Sequence, residues 1–305
     1  MKNYVLLTES GSDLSLEMAK EYGIKIIPMY VQLDGKTYAD GDISPEEAFN
    51  YSDKNGVFPT TSAPSPADFE LMYRKIRREA PDSIIIHIGY SAQTTCSYQN
   101  AVIADEGFEN IYHVDSEHVS AGLGAVAILA ARYLWAYPDI EPSELIDKIK
   151  EIGKYMKFHF VVQDMRYLKA GGRCSNTQYL VAQILGIKPL IEMKNGLLVA
   201  ARRYRGKMER VCEKVVEGFF NSADIDTDEI YLVYTHRLSK EICARIEAKC
   251  RRDYHIKRIL WFAAGCVIST HGGPGGFGIG GLTMGRVAFQ RQELDTAERV
   301  VRFEY

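Results

Sequence analysis

Residues 269–281 read STHGGPGGFGIGG and set one histidine, His271, beside a run of glycines. Gly273, Gly275 and Gly278 spell G-x-G-x-x-G, the pattern that holds a dinucleotide pyrophosphate. That chemistry needs the glycines between a strand and a helix, in a βαβ unit of about 30 residues with an acidic residue about 20 positions on. Here IGGLTMGRVAF follows, and its glycines at 280, 281 and 285 make a poor helix start. Pro274 also removes a backbone N–H that a phosphate would need. Two readings remain. The glycines form a tight loop with positive φ at a contact between domains, or the loop brings backbone and an imidazole against an anion.

Hydroxyl groups gather at two other places. TTSAPSP puts Thr60, Thr61 and Ser62 just before an expected helix N-terminus, where side chains and helix dipole both favour an anion; ordinary capping is the other reading. SAQTTCSYQNA places Ser91, Thr94, Thr95 and Ser97 in the loop after the apolar run SIIIHI. LKAGGRCSN carries Arg173 after two glycines, suited to a phosphate or an acidic partner, or to plain solvent exposure. AARRYRGKMER concentrates Arg202, Arg203, Arg205, Lys207 and Arg210, either a solvated edge strand or a docking patch. His113 and His118 with Asp115 and Glu117 point in alternating directions along a strand, which disfavours a metal site. Zinc spacing, a P-loop and a G-x-S-x-G elbow are all missing from the sequence. Ser10, Asp13, Asp115, Ser116 and His271 leave a Ser-His-Asp hydrolase open.

These groups need a scaffold. NYVLLTES, KIIPMYVQLD, PDSIIIHIGYS and NIYHVDSEHVS read as strands, with helices CSYQNAVIADEG and AGLGAVAILAARYLWA interleaved. That order implies a parallel sheet covered by helices, with ligands outside the C-terminal strand ends. TESGSD, YSAQTTCS and DSEHVSAG are the loops at those ends. Ser65 and Pro66 fit the N-cap and first turn of a helix. PSELIDKIKEIGKYM closes the first half, so the expected domains are 1–156 and 157–305. In the second, Asn195-Gly196 marks a hairpin. MERVCEKVVEGFFN and SKEICARIEAKCRR read as helices, and EIYLVYTH and IKRILWFA as strands. The fold class is α/β: an N-terminal parallel-sheet, Rossmann-like domain and a smaller C-terminal α+β domain.

The 305 residues are enough for two such domains, and 46% apolar with 25% charged residues is ordinary for a globular chain. A net charge of -3 gives no bulk attraction to nucleic acid. MKNYVLLTES lacks a signal-peptide pattern, and no apolar stretch reaches membrane-spanning length. Cys96, Cys174, Cys212, Cys243, Cys250 and Cys266 are scattered without C-x-x-C, and are read as reduced in a cytoplasmic protein.

Together the segments resemble the DegV family of fatty-acid-binding proteins. LLTESGSDLS is similar to its T-D-S-x-x-D-L opening, with Glu9 for Asp. YADGDIS, TTSAPSP, SAQTTCSYQNA, HVDSEHVSAGLG, YLKAGGRCS and STHGGPGGFGI resemble its later motifs in order, over nearly the whole chain. Gln93, Thr95, Cys96 and Ser97 depart from the usual small residue, Ser, Gly and Thr. The resemblance implies one fatty acid between the two domains of the DegV fold, its chain in an apolar tunnel. Thr61, Ser62, Thr95 and His271 would then meet the carboxylate, while Arg173 and Arg202 would serve kinase engagement or an acyl phosphate. The implied partner is a separate ATP-dependent acyl kinase supplying phospholipid synthesis. The implied protein is a carrier and no enzyme, with neither metal nor cofactor beyond the bound lipid. The rival readings are a hydrolase or transferase of a lipid-like acyl substrate, and a binder of sugar phosphates or nucleotides.

Overall fold

The computed structural model describes residues 2–173 and 186–284. Cys174 and the end of the YLKAGGRCS segment lie outside the described residues.

Three sheets organise the chain. Strands β1 (Tyr4–Glu9), β2 (Ile24–Ile27), β6 (Ile84–Gly89) and β7 (Ile111–Asp115) form a parallel sheet in the order β2-β1-β6-β7. Strands β3 (Tyr30–Leu33), β4 (Lys36–Ala39) and β5 (Thr60–Ser62) form a small antiparallel sheet. Strands β8 (Met156–Val161), β9 (Ile187–Lys194), β10 (Leu197–Arg205), β11 (Glu229–Tyr234), β12 (Arg258–Ala263) and β13 (Phe277–Leu282) make a mixed sheet, ordered β10-β9-β8-β13-β11-β12. The described helices in the first half are α1 (Leu16–Glu21), α2 (Pro45–Asn55), α3 (Pro66–Glu79), α4 (Ser97–Ala104), α5 (Ser120–Ala136) and α6 (Pro142–Tyr155). In the second half they are α7 (Met165–Ala170), α8 (Met208–Phe220), α9 (Lys240–Tyr254) and α10 (Cys266–Gly272).

Local chemistry explains the element ends. Ser65 Oγ accepts from the Asp68 N–H and Asp68 Oδ2 accepts from the Ser65 N–H, a capping box with Pro66 in the first turn of α3. Asn195 and Gly196 both take positive φ between β9 and β10, as a two-residue hairpin turn requires.

The apolar helix α5 lies between the parallel and the mixed sheet, which is why it is apolar all round. One cluster joins Leu6, Ile86 and Ile88 of the first sheet through Leu123, Val126 and Leu129 to Phe158, Tyr231 and Val233 of the second. Arg132 enters this core from α5. Its guanidinium donates to both Glu229 oxygens at 3.0 Å and to the Tyr22 hydroxyl at 2.9 Å. Tyr231 and Arg258 complete the shell around the buried Glu229 carboxylate.

Two sequence expectations change. KIIPMYVQLD is two strands in two sheets, because Pro28 has no N–H for a ladder and stands between β2 and β3. Thr60, Thr61 and Ser62 form strand β5 rather than the doorstep of α3, whose first N–H groups are capped by Ser65 and Asp68.

Candidate functional site

A cavity of about 110 Å³ lies among these sheets. A single water needs only about 10–15 Å³, so this space takes a larger occupant. Its walls are mostly apolar: Phe158 and Phe160 from alternate positions of β8, Val233 from β11, Phe277 from β13, and Leu198 from the hairpin. Alternation along β8 aims both phenyl rings the same way.

The polar lining residues fall into three hydrogen-bonded sets. Thr61 Oγ1 on β5 lies 2.8 Å from His271 Nε2 on α10. Gln32 on β3 donates to Ser62 Oγ at 2.9 Å and holds the neighbouring hydroxyl. Arg173 donates to the Gly171 carbonyl at 2.6 Å and to the Thr94 carbonyl at 3.1 Å. Thr95 follows Thr94 in the same loop, and both line the cavity. Gly171 is required where it stands. A Cβ built there would lie 2.0 Å from His271 Nδ1.

The structure therefore brings Thr61, Ser62, Thr95, Arg173 and His271 to one cavity. Arg202 is elsewhere, exposed on the edge strand β10 with its guanidinium beside Gly218 of α8. The Thr61 hydroxyl meets His271, and those of Thr60 and Ser62 meet Gln32, rather than the N-terminus of α3. The glycine run also resolves: α10 comes before it and β13 after it, the reverse of a dinucleotide loop. Gly273 and Gly275 take φ of 66° and 71° to make that turn, and His271 sits on the last turn of α10. His113 is engaged with Asp105, and His118 with the Gly153 carbonyl. No group of three or more metal-ligating side chains occurs among the described residues.

Sequence reasoning missed what orients α10. Asp40 Oδ1 accepts from the Cys266 and Val267 N–H groups at 2.9 and 3.3 Å, and Asp13 Oδ1 accepts from Gly265 at 2.8 Å. These bonds span more than 200 residues, so no local spacing announces them.

Burial pushes the His271 imidazole down to about 3, and nearby Arg173 adds to the shift. Unfolded histidine titrates near 6.5. Between about pH 6.5 and 3 the unfolded chain holds the proton and the fold does not. The stability His271 contributes is thus present above that window and lost as pH falls through it. His118 and His159, each lowered to about 4 by burial, act in the same direction. Nitrogen NMR of the ligand-free protein should find His271 neutral at pH 5; a midpoint near 6.5 would contradict this.

Residues 3–283 match the family described as "Uncharacterised protein, DegV family". The chain belongs to the DegV family. A relative from Thermotoga maritima, named a fatty acid-binding protein, is 30% identical over 286 residues, covering 90% of this chain and 96% of the relative. The solved structure described as fatty acid binding of a DegV family protein from Thermus thermophilus superposes with a TM-score of 0.82. It is 27% identical and covers 93% of this chain and all of that one. The Fatty Acid Kinase (Fak) B3 protein of Streptococcus pneumoniae, loaded with linoleic acid, shares the DegV fold with a TM-score of 0.75. At 15% identity, over 92% of this chain and 99% of that one, the likeness is one of fold alone. Among the described residues, no helix is long and apolar enough to cross a membrane.

Proposed function

We propose that this protein is a non-enzymatic, cytoplasmic carrier of a long-chain fatty acid. The acyl chain occupies the apolar part of the cavity, between halves divided near residue 156. Its carboxylate meets Thr61, Ser62, Thr95 and His271. The observation that carries the reading is one mostly apolar cavity whose lining also holds hydroxyls, an imidazole and a guanidinium. A carboxylate leaving water needs several donors, while each buried CH₂ of its tail contributes about 0.8 kcal/mol.

The electrostatics favour carriage over hydrolysis. A general base works best with a pKa near the operating pH, and His271 is held near 3. Its Nδ1 has no hydrogen-bond partner among the described residues, so the third member of a triad is missing there.

In this reading the protein presents the carboxylate to a separate ATP-dependent kinase, whose acyl phosphate product enters phospholipid synthesis. Arg173, exposed at the cavity, and Arg202, exposed on β10, serve that kinase or the acyl phosphate. The name of the Fak B3 protein, which shares the fold, is what points to a kinase partner.

The test is thermal unfolding of delipidated protein. A fatty acid at about 100 times its Kd should add roughly 2.7 kcal/mol of stability. Nucleotides and sugar phosphates should add none, and acyl esters should not turn over. Stabilisation by a nucleotide alone, or ester turnover lost in His271→Ala, would overturn the reading.

A further inference from the structure

The end of β1 and the loop after it carry Glu9, Ser10 and Asp13, side chains able to do chemistry, yet none of residues 8–13 lines the cavity. Glu9 and Asp13 are buried instead. Each reaches a segment that does line it. Glu9 Oε2 accepts from the Tyr90 N–H at 2.9 Å, and Oε1 accepts from the Ser97 hydroxyl at 2.6 Å. One carboxylate thereby ties both ends of the loop that carries Thr94 and Thr95. Asp13 accepts from Ser120 at 2.5 Å and from Gly265, the residue leading into the His271 helix. Ser10 donates to Asp40, which caps that helix, and accepts from the Met29 N–H at 3.0 Å.

We infer that this loop is the positioning frame of the head-group site, and that Glu9 sets the placement of Thr94 and Thr95 against a bound carboxylate. The inference rests on the carrier reading. Glu9 is the sharpest member because a single side chain spans two points seven residues apart. The apolar walls on β8, β11 and β13 belong to another sheet and receive no bond from it. A carboxylate one methylene shorter cannot hold both ends, so the loop relaxes while those walls stay.

The test compares two ligands that share a chain and differ in head group, tetradecanoic acid and 1-tetradecanol, by calorimetric titration. Glu9→Asp is expected to lower affinity for the acid about tenfold and for the alcohol by less than about threefold. Ser97→Ala, which removes one tether, should shift the same ratio in the same direction by a smaller factor. Circular dichroism and urea midpoints check that both variants fold. Equal losses for acid and alcohol, or unchanged acid affinity in both variants, would overturn the inference alone. No acid binding by the unsubstituted protein would overturn the carrier reading and this inference with it.

Discussion

His271→Ala is expected to weaken binding of a long-chain fatty acid by roughly 10- to 100-fold without unfolding the protein. A hydrogen bond to a charged group is worth about 1.5–3 kcal/mol, and about 1.4 kcal/mol corresponds to each tenfold. The same loss should follow from a residue that touches no ligand. In Gly171→Ala the new methyl would fall 2.0 Å from His271 Nδ1 and 2.6 Å from Cε1, closer than any side chain tolerates. The imidazole must then leave its place beside Thr61. Gly171 has φ of -78°, which alanine adopts freely, so the effect belongs to the collision and not to backbone strain. Titration calorimetry on delipidated protein checks both variants. Unchanged affinity in the pair would remove His271 from the head-group site.

Glu229→Ala should produce the largest loss of stability, about 3–5 kcal/mol, read as a fall in the urea midpoint. Glu229 is fully buried and faces Arg132 on α5, Arg258 on β12 and the Tyr231 hydroxyl. Arg132, at 1% exposure, would keep its charge inside the core without the carboxylate opposite it. Breaking a buried pair from one side costs far more than replacing the pair by apolar residues. Glu229→Leu combined with Arg132→Met should therefore recover part of the loss. An unchanged midpoint in Glu229→Ala would mean that this cluster does not hold α5 to the mixed sheet.

The parts of the fold written in short-range chemistry were legible. Ser65-Pro66 marked the start of α3, and Asn195-Gly196 marked the β9–β10 hairpin. The continuous apolar runs of β1 and β6 marked strands of a parallel sheet. His271, Arg173 and the hydroxyl pair at Thr61 and Ser62 were legible as polar groups beside glycines or in loops. Their meeting at one cavity was not, because β5, α7 and α10 are joined only by contacts across the whole chain. The walls were hidden for a similar reason. Phe158 and Phe160 on β8 stand beside β13 in the sheet although more than 100 residues separate them. The work of the TESGSD segment was not legible either. Its place after a parallel strand suggested ligand contact, but its side chains turn toward Tyr90, Ser97, Ser120 and Gly265 and support the site from behind.

Mass spectrometry of the organic extract from freshly purified, denatured protein tests the central claim most directly. The account predicts one long-chain fatty acid per polypeptide. An empty extract from well-folded protein, together with no thermal stabilisation by added fatty acids, would contradict it.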